Sequence, residues 1–349
     1  MSDRQDQRAA EGSIAVQSGG DTTINQGVTP EEIKAIVEGL VDQLPRMAAV
    51  ATAVIEERLK SFKDEIISRF EQDASTKREA FEDPDFIEVV ADAQRGYVRT
   101  GKADAHKTLV DLIAERSRQR SGERIAYVLN EAVSVTHKLT SSELSELALV
   151  FCIKSIRVGE LNSLDIFGSY HQALFADLNE SVETQLGSYN YLVAQRCASM
   201  SIGSISLIEC WRKTYPGLFM KGLASEQYHN LVGDLVSDGS LFTTSLLDGK
   251  GLQVAAIDKD TFERVALGRG LTTEILNQVW DQAINNLGDD DSIIERLTPL
   301  CPLLKEVNRK WNDSPLKNLD LTALGLAVGH TRLSQIPTAT KADISIWIQ

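Results

Sequence analysis

The sequence is poor in the features that most readily identify an activity. Four cysteines, Cys152, Cys197, Cys210 and Cys301, stand far apart, and no C-x-x-C occurs. That spacing excludes the common zinc-binding and dithiol motifs and points to buried free thiols in a reducing compartment. Aromatic residues make up 6% and charged residues 25%, ordinary values for a soluble globular protein. No apolar run approaches the ~18 residues of a membrane span. The best stretch, 144–153, is shorter and contains Ser145 and Glu146. Residues 1–12 are polar and lack the apolar segment of a secretory signal, so the chain is read as cytoplasmic. Positive charge is also scarce: 36 Lys and Arg against 50 Asp and Glu, a formal net charge of −14. This argues against bulk binding to nucleic acid or anionic lipid, which needs a positive face.

Catalytic and cofactor signatures are missing too. There is no G-x-x-x-x-G-K-[ST], G-x-G-x-x-G, H-E-x-x-H or G-x-S-x-G, so no catalytic, cofactor-binding or metal-binding residue is assigned. The histidines, His106, His137, His171, His229 and His330, are scattered. His330 follows Gly329 and is placed in a turn. The acidic cluster at 288–292 has the wrong spacing for a calcium loop and reads as a helix start. The hydroxyl-rich run 199–206 reads as close helix packing through small residues. The basic run Arg116, Arg118, Arg120 and Arg124 reads as the charged end of a helix and its turn. Trp211 with 215–219 reads as an aromatic corner packing a helix end on the core.

What is present is helical periodicity. With 42% hydrophobic residues, the chain can bury a sizeable core. Residues 1–12 read as a disordered tail. In 13–27, Ile14 and Val16 alternate with small or polar residues, Gly19-Gly20-Asp21 signals a turn, and Ile24 lies in a second short β-favouring run. Strands this short need pairing partners, so 13–27 is expected to be a β element of oligomerisation, with Gln17 in its first strand. Thr29-Pro30-Glu31-Glu32 is a helix start. A long amphipathic helix is expected over 28–80, broken or kinked at Pro45. Its stripe runs through Val37, Leu40, Leu44, Met47, Val54, Ile55, Phe62, Ile66 and Phe70. This stripe packs either on its own chain or on that of another subunit, and a membrane contact through it stays open.

Residues 81–222 are expected to form an all-α domain. Helices are placed at 85–97, 103–118 and 125–133, and a capping box at Thr140 and Glu143 starts a buried helix through 144–158. Others follow at 164–179, 182–198 and 200–213. Residues 223–349 are expected to be a small α+β domain. It has a helix at 225–237, a hairpin of 241–246 with 252–257, helices at 260–267, 271–287 and 290–311, a short element at 319–325, and a last strand at 344–348. This end has a winged-helix flavour. The fold class is therefore mainly α: a multi-helical body with a short N-terminal β element and a small α+β C-terminal part.

Several segments carry a resemblance. The leader Val16-Gln17-Ser18-Gly19-Gly20-Asp21-Thr22-Thr23-Ile24-Asn25-Gln26-Gly27, followed by Thr29-x-Glu31-Glu32-Ile33, resembles the opening of a largely uncharacterised group of bacterial proteins. So do Phe81-x-Asp83-Pro84-Asp85-Phe86, Leu129-Asn130-Glu131-Ala132, Tyr215-x-Gly217-Leu218-Phe219-x-Lys221-Gly222, Leu321-Thr322-x-x-Gly325 and Ile346-Trp347-Ile348. The glycine-rich leader also resembles leaders on bacterial conflict and antiphage proteins. The resemblance implies a role in phage defence and implies no catalytic residue or cofactor. The expected function is a non-enzymatic, self-assembling sensor or scaffold that works with a partner effector. The alternatives are an enzyme of unfamiliar type with its site in the helical body, and a winged-helix regulator.

Overall fold

A computed structural model describes residues 30–179 and 182–348, with side chains from residue 50 onward. The expected leader residues Ile14, Val16, Gln17, Gly19, Gly20, Asp21 and Ile24 lie outside the described residues. Val37, Leu40, Leu44 and Met47 lie on helical backbone, and their side chains are outside the description.

The chain divides into two units, Met1–Glu56 and Glu57–Gln349. The described part of the first is helical from Pro30 onward. It is the start of α1 (Pro30–Gln72), a helix of 43 residues. The helix continues through Pro45, so of the break or kink expected there the break does not occur. A proline inside a helix removes one backbone bond without requiring termination. Val50, Val54 and Ile55 are 62%, 37% and 42% exposed.

In the second unit the same stripe turns inward. Phe62, Ile66 and Phe70, spaced four residues apart on one helix face, are all buried. Phe62 stacks on Tyr97 and His106, and Phe70 begins a chain of ring contacts through Phe81 to Phe86. They close α1 on α2 (Pro84–Thr100) and α3 (Ala103–Ser117), and α4 (Arg124–Thr136) follows. The start of α2 follows from sequence: Pro84 takes the first turn, and the Asp83 side chain accepts from Asp85 N. Its end is Gly101, at φ +65.

Next comes α5 (Ser141–Ser155), which begins with the expected capping box of Thr140 and Glu143 and is buried along most of its length. It packs against α14 (Ala323–Ser334) near the other end of the chain. Gly329 makes that packing close. A Cβ there would sit 2.6 Å from the Leu147 carbonyl oxygen, a hard overlap.

Further helices are α6 (Leu164–Leu178), α7 (Leu186–Ala194) and α8 (Leu207–Thr214). Between α7 and α8 the expected continuous helices give way to a strand, β1 (Ala198–Met200), which pairs antiparallel with a later strand, β4 (Leu319–Leu321). Arg196, the only non-glycine residue with positive φ among those described, ends the helical path at φ 61. The expectation of helices over 182–198 and 200–213 fails at their junction because a strand supplied from far along the sequence claims these residues. The hydroxyl-rich run accordingly does not pack helices together. It forms β1 and its loop, and Ser206 caps α8 by accepting from Glu209 N at 3.1 Å.

The C-terminal third contains α9 (Ser225–Val232) and the expected hairpin, here β2 (Phe242–Thr244) paired with β3 (Leu252–Val254). Beyond it lie α10 (Lys259–Gly268), α11 (Thr273–Ile284), α12 (Asp290–Leu297) and α13 (Leu304–Asp313). Met220, Tyr228, Phe242, Val254, Phe262 and Leu276 build an apolar cluster of their own around the hairpin. The later residues Ile293, Leu297, Val307, Trp311 and Val328 belong to the cluster of the helical body. The expected last strand is instead a short 3₁₀ turn, Ile344–Ile346. Ile344 and Ile348 are buried and Ile346 is exposed, so the alternation is real. Asp343 accepts from Ser345 N and closes the turn locally, and no neighbouring strand pairs with it among the described residues. The fold is mainly α, with two small two-stranded sheets among the described residues.

Candidate functional site: a polar cleft beside His330

The low-information motifs of the sequence prove to be joints. Asp83 caps α2, and Asp85, Asn130 and Arg116 meet: Arg116 Nη2 donates to Asp85 Oδ2 at 2.6 Å, and its Nε donates to Asn130 Oδ1 at 2.8 Å. Arg116 is fully buried, so it is a structural clamp rather than a surface cation. Tyr215 accepts at its hydroxyl from Val158 N at 2.9 Å. A Cβ on Gly217 would lie 1.8 Å from the Ala256 carbonyl oxygen, so only glycine fits beneath that strand exit. Thr322 caps α14, and Trp347 Nε1 donates to Ser155 O at 2.8 Å. The aromatic corner is core packing: Trp211, Tyr215 and Phe219 stand edge-on to Phe167.

The other residues singled out also hold the fold. All four cysteines are free and buried. Burial pushes the thiols up, to about 12 at Cys152 and Cys197 and about 11 at Cys210 and Cys301, away from the reactive thiolate. His171 sits among rings, and burial holds it down at about 4. In the acidic cluster, Asp289 caps α12 and pairs with Lys221 at 2.7 Å, while Asp290 pairs with Arg212 at 2.7 Å.

One region gathers polar groups without an evident packing purpose. It is a cleft of about 430 Å³ in the unit Glu57–Gln349, within the usual range for small-molecule sites. The end of α1 contributes Arg69, the turn after it Asp73, α3 contributes Asp111 and Glu115, and Arg118 follows α3. His330 and Ser334 come from α14, and Lys341 from the segment beyond it. His330 thus lies inside α14 and not in the turn expected from Gly329. Helical spacing explains the pairs: Asp111 with Glu115, and His330 with Ser334, each four apart, share one face.

The charges are tied together. Arg69 Nη1 reaches Asp73 Oδ2 at 2.7 Å and Arg69 Nε reaches Asp111 Oδ1 at 2.8 Å. Arg118 Nη2 reaches the same Asp73 oxygen at 2.6 Å, and Arg118 Nη1 pairs with Glu115. Burial alone would raise Asp73. Hydrogen bonds from Ser75 and the two guanidiniums outweigh it and hold the carboxyl at about 2. Glu115 goes the other way: burial raises it, only partly opposed by Arg118, with Asp343 and Asp73 adding like charge.

Two atoms in this wall are buried without a hydrogen-bond partner, Arg118 Nε and His330 Nδ1. His330 is 8% exposed. Its Nε2 lies 2.8 Å from the Ala342 carbonyl oxygen. A carbonyl only accepts, so the proton is assigned to Nε2 and Nδ1 is left as a bare acceptor. Burial also lowers the histidine's proton affinity. The wall therefore holds one unused donor and one unused acceptor, an arrangement buried polar groups rarely leave unmet. A larger cavity of about 480 Å³ lies by Arg157, Asn162 and Gln253, but Gln253 is already committed to Leu246 N and Gly217 O.

Sequence reading reached one residue of this cleft through the basic run, Arg118, and mentioned His330 without a role. Arg69, Asp73, Asp111, Glu115 and Lys341 carried no local signal, because the set is assembled from segments far apart in the chain. No curated protein and no solved structure matches the chain. A family model described as ":-like" matches residues 27–348, leaving most of the glycine-rich leader outside it. The chain belongs to that family.

Proposed function

We propose that this protein is a non-enzymatic, self-assembling sensor or scaffold, with α1 and the leader as the assembly device and the polar cleft as the sensing site. The observation that carries the reading is the divided fate of one apolar stripe. From Phe62 onward the stripe is consumed by the chain's own core, whereas Val50, Val54 and Ile55 are left exposed. The sequence continues the same spacing back through Met47, Leu44, Leu40 and Val37. An apolar helix face that the described residues leave exposed is suited to pair with the same face of a second copy. A partner effector and a place in bacterial antiphage defence rest on the likeness of the leader.

Light scattering after gel filtration tests the reading. The full chain is expected to be an oligomer, and both a version lacking residues 1–27 and the V50E/V54E/I55E variant are expected to fall toward monomer. A monomeric full chain overturns the reading, as does an oligomer indifferent to both changes. A second reading, an enzyme with its site in the helical body, draws support from the same cleft, where Glu115 and His330 are both shifted toward their neutral forms. Turnover of a bound compound, rather than its unchanged release, would favour it.

A further inference from the structure

We infer that the cleft between the end of α1, α3 and α14 binds a small zwitterion of the free amino-acid class, an inference that rests on the sensor reading and names its ligand. Both signs of charge line one cavity. Asp73, Asp111 and Glu115 face Arg69, Arg118 and Lys341, so neither a polyanion nor a polycation meets a uniform wall. The ion pairs already use most of this charge. What is left over has both characters. On the donor side are the exposed ammonium of Lys341, which has no ion-pair partner among the described residues, and Arg118 Nε. On the acceptor side are His330 Nδ1 and the remaining lone pairs of Glu115, whose carboxyl already accepts from Arg118 but also stands near two more carboxylates, Asp343 and Asp73.

A carboxylate would be taken by the Lys341 and Arg118 side, and an ammonium by the Glu115 and His330 side. The ammonium also relieves the crowding of negative charge at Glu115. The cavity volume suits a molecule of this size. Because Arg69 and Asp73 belong to α1 and the turn that ends it, a ligand that fixes the Arg69–Asp73–Arg118 knot acts on the helix that also carries the exposed stripe.

Isothermal titration calorimetry on the full-length protein tests this, with each standard L-amino acid as probe. Inorganic phosphate and spermidine serve as single-sign controls. The expected result is saturable binding of at least one amino acid. Its N-acetyl derivative and methyl ester should fail to bind. Lys341→Ala and Glu115→Gln should each weaken binding roughly tenfold or more. Lys341 is exposed, so that variant keeps the test valid if Glu115→Gln does not fold. Binding of no amino acid overturns the inference, as does binding of phosphate or spermidine alone, or amino-acid binding unchanged in Lys341→Ala. The mass of the same sample by light scattering keeps the two readings apart: an oligomer that binds no amino acid refutes the ligand and leaves assembly standing.

Discussion

Glu146 sits in the middle of α5 with no exposed surface and, among the described residues, no cation paired with it. Its carboxylate accepts from Ser142 Oγ at 3.1 Å, Glu183 N at 3.3 Å and Ser188 Oγ at 2.8 Å. Burial outweighs these bonds and raises the carboxyl from 4.5 to about 7, with Glu143 adding repulsion. Tyr189 is another titratable group beside it. A folded-state value above the unfolded one means stability is fully present below pH 4.5 and is lost as pH rises through about 7. The loss is on the order of 3 kcal/mol. In urea unfolding between pH 5.5 and 7.5 the slope of stability against pH should be more negative in the parent than in Glu146→Gln, since the buried neutral His171 pushes the other way equally in both. An unchanged slope would refute the assignment. At Arg116 the prediction is different in kind. Arg116→Ala takes the guanidinium away from Asp85 and Asn130, which keep their bond to each other, and because Asp85 is half exposed the cost is about 1.5–3 kcal/mol. Arg116→Lys should not restore stability, since one ammonium cannot reproduce a guanidinium fork on Asp85, Asn130 and Ser121. Thermal melting of both variants checks this.

Helix starts were the most legible elements. Thr140 with Glu143, and Asp83 before Pro84, cap where their residue types say they should, because capping is decided within four residues. The hairpin β2–β3 was legible for the same reason: the turn and both strands are close in sequence. The pair β1–β4 was not, since Ala198 meets Leu321 and no local pattern announces a partner so distant. Pro45 does not end α1, because a proline's local cost does not by itself set where a helix ends. At the packed pair α5–α14, Gly329→Val would force a side chain against the Leu147 backbone. Destabilisation of at least about 1–3 kcal/mol is expected, read as a lower midpoint in urea. A midpoint equal to that of the parent would show that the two helices part more easily than their contact implies.

For the whole molecule, the sensor reading predicts that assembly and ligand binding are linked. An amino acid that binds the cleft is expected to shift the mass distribution of the full-length protein and to leave the V50E/V54E/I55E variant monomeric. Linkage requires that a ligand favour one assembly state only as far as it binds that state more tightly. A bound ligand with no effect on mass would separate the cleft from assembly. The family match over 27–348 covers the helical body and not most of the leader, so leader and body are to be tested separately, as the truncation does.

By itself the sequence determined the helical class, the caps, the hairpin, the buried character of α5 and the division of α1 into an apolar stripe and a polar face. Each of these follows from periodicity or from groups a few residues apart. Only the tertiary structure decided which part of that stripe the chain covers itself, that Arg116 is a buried clamp while Arg118 lines a cleft, and that His330 keeps an unused acceptor. Those outcomes depend on which distant segments come together. Coulomb energies, burial and hydrogen-bond satisfaction are properties of neighbours in space, and a single sequence records neighbours only along the chain.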